Sequence, residues 1–163
     1  MSGSIVWFIT AFLAFLPISE LRGAIPFAMA HQIPWYIAFP FAALLNAMVA
    51  PVCWIFLSTL NRLFLKMEWY KKFFDRFIES ARAKLHEKVE KWGWLGITIF
   101  VAIPLPITGA WTGTLGAWVL GISKRRTLLA VILGVVIAGA IVTSVMLLGL
   151  QGLKIFVKQV EAP

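Results

Sequence analysis

Apolar residues run in long stretches at 4–16, 18–30, 35–60, 92–103, 107–121 and 127–150, and one charged block, 61–91, separates the third stretch from the fourth. Continuous apolarity without a polar face predicts helices that are hydrophobic all round, which belong in a membrane. A helix rises about 1.5 Å per residue and needs about 20 residues to cross about 30 Å of hydrocarbon. Only 35–60 and 127–150 are long enough. The other four stretches form two pairs, each broken by proline: Pro17 in the first, Pro104 and Pro106 in the second. Proline removes an amide donor and turns the preceding residue away from helix, so each pair is expected to fold back as a re-entrant hairpin, 4–30 and 92–121. Irregular backbone at that depth must be buried in protein or line a cavity. The alternative of six true spans would need four helices too short to cross.

The halves can be laid on one another. Leu16-Pro17-Ile18-Ser19 corresponds to Leu105-Pro106-Ile107-Thr108, and each is followed by a helix rich in small residues, a short linker and a full span. The sequence therefore predicts repeat one over 4–60, with a transmembrane helix at 35–60, and repeat two over 92–150, with a transmembrane helix at 127–150. Residues 151–163 are left as a tail. In the block 61–91, Leu63, Met67, Tyr70, Phe74, Phe77, Ala81, Leu85 and Val89 recur at spacings of three and four. That periodicity predicts an amphipathic helix at the cytoplasmic interface, serving either as a linker or as a lipid-sensing element.

Composition supports the membrane reading. Of 163 residues, 61% are hydrophobic and 13% charged, with eight Trp and thirteen Phe. Trp7, Trp35, Trp69, Trp92, Trp94 and Trp118 fall near segment ends, as an interfacial belt requires. The net charge of +8 gathers at 62–91 and 124–126, which marks cytoplasmic loops rather than a nucleic-acid face. Hairpin one then dips in from outside and hairpin two from the cytoplasm, so the repeats are inverted, an architecture common in secondary transporters. Lys154 and Lys158 would lie outside, against the positive-inside tendency. The apolar start has no basic leader region or clear cleavage site and is expected to be retained. The expected location is the inner or plasma membrane, with several passes. Cys53 stands alone in an apolar stretch and reads as packing.

Chemistry concentrates in two residues. Glu20 is the first charged side chain of the chain and Arg22 the second; none follows until Arg62. An ionisable pair at membrane depth is costly and marks a functional site by default. Glu20 is the candidate for carrying a coupling proton or sodium ion, and Arg22 for holding a phosphate with its planar fork. The plainer alternative is that both hold the hairpins together by bonding freed backbone groups. Ser19 and Thr108 stand where each second helix needs an N-cap. Converging helix N-termini would favour an anion. Thr112 could supply a neutral hydrogen bond, while Gly109 with Gly113 gives the spacing of close helix packing. Asn46, inside a span, reads as polar glue or as part of the site. His31 and His86 have no ligand spacing, so no metal is expected. Phosphate loops, paired carboxylates and nucleophile–base motifs are absent, so neither an enzyme nor a cofactor is expected.

The runs Pro17-Ile18-Ser19-Glu20-Leu21-Arg22-Gly23-Ala24-Ile25-Pro26 and Pro104-Leu105-Pro106-Ile107-Thr108-Gly109-Ala110-Trp111-Thr112-Gly113 resemble the DedA superfamily, and within it the small multidrug export proteins. The resemblance covers about residues 6–150. It implies two inverted re-entrant hairpins and ion-coupled transport, with polyprenyl-phosphate lipids among the substrates of the wider group, and it makes Glu20 and Arg22 the positions to carry over. The second half here has no charge until Lys124, unlike DedA proteins proper. The leading expectation is a small ion-coupled transporter, working in the membrane as a monomer or a homodimer, that moves an amphiphilic or lipid-phosphate substrate. The alternatives are an exporter of cationic compounds and a non-transporting protein that organises lipids.

Overall fold

The computed structural model describes residues 3–59, 92–105 and 108–160, together with Glu68, Lys72, Asp75, Arg76 and Glu79. Those five residues are helical and exposed. The rest of the amphipathic helix expected at 61–91 lies outside the described residues, as does Pro106.

Every described element is a helix. They are α1 (Gly3–Phe15), α2 (Glu20–Ala30), α3 (Trp35–Ala47), α4 (Val49–Thr59), α5 (Trp94–Ala102), α6 (Ala110–Val119) and α7 (Lys124–Val160). Two stretches are long and apolar enough to cross a membrane, Trp35–Thr59 and Lys124–Gly149. The helices of the two expected hairpins have 13, 11, 9 and 10 residues, or about 14–20 Å each, well short of a bilayer core. Each pair breaks at its prolines. Ile103, just before Pro104, is extended at φ −80° and ψ 113°, which is what proline imposes on its predecessor.

Two boundaries differ from the sequence reading. The stretch expected as one span at 35–60 is interrupted at Met48. Pro51 has no amide to give Ala47, and its ring crowds that carbonyl, so α3 ends at Ala47. In the second half α7 begins at Lys124, three residues early, and continues to Val160 through most of the expected tail.

Both second helices end alike. After α2 the Ile33 amide donates to Ala28 O at 3.0 Å, and after α6 the Ile122 amide donates to Ala117 O at 2.9 Å. The residue at the turn has positive φ in each case, Gln32 at 65° and Gly121 at 72°, so both ends are Schellman motifs.

The two halves share one apolar core. Ala14, Leu21, Ile25, Ala42, Val49, Ile97, Val101, Ala110, Val131 and Val135, drawn from all seven helices, are buried in a single cluster. Small residues let the backbones approach: Val101 of α5 lies between Gly113 of α6 and Gly134 of α7, and a Cβ on either glycine would strike it. Cys53 is a free, buried thiol packed with Leu57 of α4 and Leu115 of α6.

Candidate functional site

The hairpin tips expose backbone groups, and other elements satisfy them. At the end of α1, Asn46 Nδ2 donates to Ala14 O at 2.9 Å and Trp111 Nε1 donates to Phe15 O at 2.8 Å. The Trp111 ring also meets Phe15 edge-on, with centroids 5.5 Å apart. The next carbonyl, Leu16 O, accepts from the amides of Ser19 and Glu20 at 3.2 and 3.0 Å. Orphan carbonyls at a helix end are expensive in an apolar setting, so these bonds are what makes the break tolerable.

Glu20 does the reciprocal work. Its side chain is only 6% exposed, the one buried charged residue among those described. Its carboxylate accepts from the backbone amides of Ala110 and Trp111, the first turn of α6. A carboxylate is the strongest available acceptor for such amides and suits the positive end of a helix. Gly109 is required by that approach, because a Cβ there would overlap the Glu20 carboxylate. Its own φ of 163° is ordinary extended backbone. Glu20 pays in backbone strain, with φ at 48°, a conformation that costs a non-glycine residue on the order of 1–3 kcal/mol.

The expected caps are elsewhere. Ser19 makes no side-chain cap to α2; its hydroxyl instead occupies the space left by Gly23. Thr108 does not cap α6. Its Oγ1 lies 2.6 Å from Ile103 O and 2.8 Å from Leu105 O, and accepts from the Leu105 amide at 3.1 Å, which ties up the tip of the second pair. The two have different causes: Ser19 has helical backbone, φ −92° and ψ −57°, where a capping residue needs an extended one, whereas α6 takes its acceptor from Glu20 of the other half, which leaves Thr108 to its own turn. Arg22 is half-buried, and its Nη2 donates to Ile18 O at 3.2 Å. Its guanidinium lies near enough to act on the Glu20 carboxylate but makes no ion pair among the described residues.

A cavity of about 10 Å³, room for a single water, lies at this junction. Glu20, Arg22, Asn46, Thr108 and Pro104 line it, with Val135 of α7 as part of its apolar wall. Ser19, Pro17 and Thr112 do not reach it. Trp111 is the residue that sequence reasoning passed over. Its signal was present, since it is a tryptophan away from the segment ends where the interfacial belt sits.

Two units of short helices meeting around one buried acid, alongside two spans, define a helical membrane protein with a polar site between its halves. A family model described as putative small multi-drug export protein matches residues 20–141, so the chain belongs to that family. The description of the family names export, which is the work of a transporter rather than of an enzyme. Comparison with curated proteins and with solved structures gives no match.

Proposed function

We propose that the protein is a secondary exporter of amphiphilic cations, built from two inverted re-entrant hairpins of DedA type, in which Glu20 carries the coupling ion. One observation supports this above all. The only buried charged residue described holds the two halves together through the exposed amides of α6, beside a water-sized cavity. The carboxylate is a strong acceptor only while ionised. Proton uptake turns it into a weaker acceptor, releases the α6 amides and lets the halves part. A substrate cation would then meet Glu20 as the proton leaves, an exchange of one positive charge for another. The cavity is far too small for an amphiphile, so substrate entry requires that parting. Arg22 is less awkward for a cation than its position in sequence implies, because it is turned onto Ile18 O.

The test is transport of a fluorescent cation into proteoliposomes under an imposed pH gradient. Glu20→Gln keeps one acceptor for the α6 amides and should fold, but it cannot exchange a proton; at least a tenfold loss of gradient-driven uptake is expected. Transport at the wild-type rate in Glu20→Gln would remove the coupling role.

Arg22 supports a second reading. It lines the cavity and makes no ion pair among the described residues, so an anionic headgroup such as a polyprenyl phosphate could pair with it. Saturable binding of that lipid, lost in Arg22→Ala, would favour this reading over the cation exporter.

A further inference from the structure

Beyond the Glu20 junction, a second and larger hollow lies at the other end of α2, about 16 Å along that helix. It is a cleft of about 440 Å³ between the start of α1 and the α2–α3 linker, lined by Val6, Trp7, Ala30, His31, Gln32 and Ile33. Its size falls in the range of small-molecule sites. Three observations give it a chemistry.

The first is Gln32. The second helices of both halves end in the same motif, whose turn residue needs positive φ. In the second half Gly121 fills that position with open space around it. In the first half the position holds Gln32, at φ 65°, and Gln32 lines the cleft. Glycine takes this conformation freely, whereas another residue pays on the order of 1–2 kcal/mol. The second half is thus an internal control: the backbone does not need a side chain there, and the first half carries one at a cost.

The second is His31. Its Nδ1 lies 2.9 Å from Phe27 O, and its ring lies tilted by 37° against Phe27 with centroids 4.3 Å apart. A carbonyl can only accept, so Nδ1 holds the hydrogen and Nε2 of the neutral ring is a lone-pair acceptor. The third is Trp7, fixed edge-on against Phe41 with centroids 4.8 Å apart, which brings an indole ring to the cleft. An aromatic face, an imidazole acceptor and an amide oxygen together suit a cation that carries N–H donors.

We infer that this cleft binds aromatic cations bearing amino or ammonium donors, a first docking place separate from the Glu20 junction. Trp7 stacks on the ring system, and Gln32 and His31 accept from its N–H groups. The inference rests on the export reading for its place in transport, and its experiment reads binding in the absence of any gradient, so the two can fail separately.

Ethidium, a planar cation with two amino groups, is titrated against the full chain in lipid nanodiscs and followed by fluorescence anisotropy. Saturable binding is expected, weakened at least tenfold in Trp7→Ala and about threefold in Gln32→Ala. If Trp7→Ala does not fold, Trp7→Phe keeps the contact with Phe41 and should weaken binding by about threefold. Protection is an independent readout: in a Cys53→Ala background, bound ethidium should slow maleimide labelling of Ala30→Cys at least fivefold. No saturable binding, binding within twofold of wild type in every one of these variants, or an unprotected Ala30→Cys would each overturn the assignment. Intact cleft binding with no gradient-driven transport of the cation by the wild-type protein overturns the export reading instead.

Discussion

Glu20 has almost no freedom. It is buried, its backbone is strained, and its carboxylate lies where a side chain on residue 109 would have to be. Gly109→Ala should therefore expel the carboxylate and strand both a buried acid and two helix amides. A loss of roughly 1–3 kcal/mol or more is expected, since unsatisfied charged groups lie at the upper end of such costs. Unfolding of the purified protein in mixed micelles would measure it. Gly149→Ala, at a helical position with open space around it, is the matched control and should be neutral or gain up to about 1 kcal/mol from helix propensity. Asn46→Ala removes the donor to Ala14 O; about 0.6–1.7 kcal/mol is expected in the same assay, the range of interhelical hydrogen bonds in membrane proteins. The sequence made Glu20, Arg22 and Asn46 conspicuous, because charge and amide groups stand out in an apolar run. It could not reveal what they bond. Serine and threonine at a helix start predict a local cap, and only the fold shows a carboxylate arriving at α6 from some 90 residues away.

At the scale of elements, length and proline were the legible signals. The short helices, their breaks near Pro17 and Pro104 and the two long stretches follow from counting residues against the bilayer and from proline's missing amide. The interruption at Met48 was equally available through Pro51, but continuous apolarity hid it. It places α4 where Cys53 and Leu57 meet Leu115 of α6. Pro51→Ala restores the amide that Ala47 O lacks and should straighten Trp35–Thr59 into one rod. A change in bend of 20° over the 11 residues of α4 moves its end by roughly 5 Å. Spin labels on Ser58 and Ser123, both exposed, would report that shift by pulsed dipolar spectroscopy. An unchanged distance would show that packing on α6, not Pro51, sets the bend.

For the whole molecule, orientation follows from charge. Lys124, Arg125 and Arg126 stand exposed at the start of α7, the positive end of a helix dipole, where three cations are electrostatically unfavourable. Anionic headgroups and the positive-inside rule give a reason for them that local helix stability does not. The proposed re-entrant arrangement makes a direct prediction: Gln32→Cys should react with an impermeant maleimide from outside and Ser123→Cys from the cytoplasm. Ile18→Cys is the decisive position. Its side chain is 89% exposed on the protein, yet it should be labelled from neither face if the tip sits in hydrocarbon. Labelling of Ile18→Cys from the cytoplasm would show that α1 and α2 each cross the membrane.

The crossed bonds at the junction also bear on how the chain is made. Phe15 O waits for Trp111, and the α6 amides wait for Glu20. At about 5–20 residues per second, the ribosome delivers the second partner on the order of ten seconds after the first. Through that interval the leading half lies in the membrane with a charged group and a bare carbonyl unanswered. Its early life therefore depends on an insertase or on water reaching the tip, and a truncated first half should be a substrate for membrane proteases rather than a stable fragment.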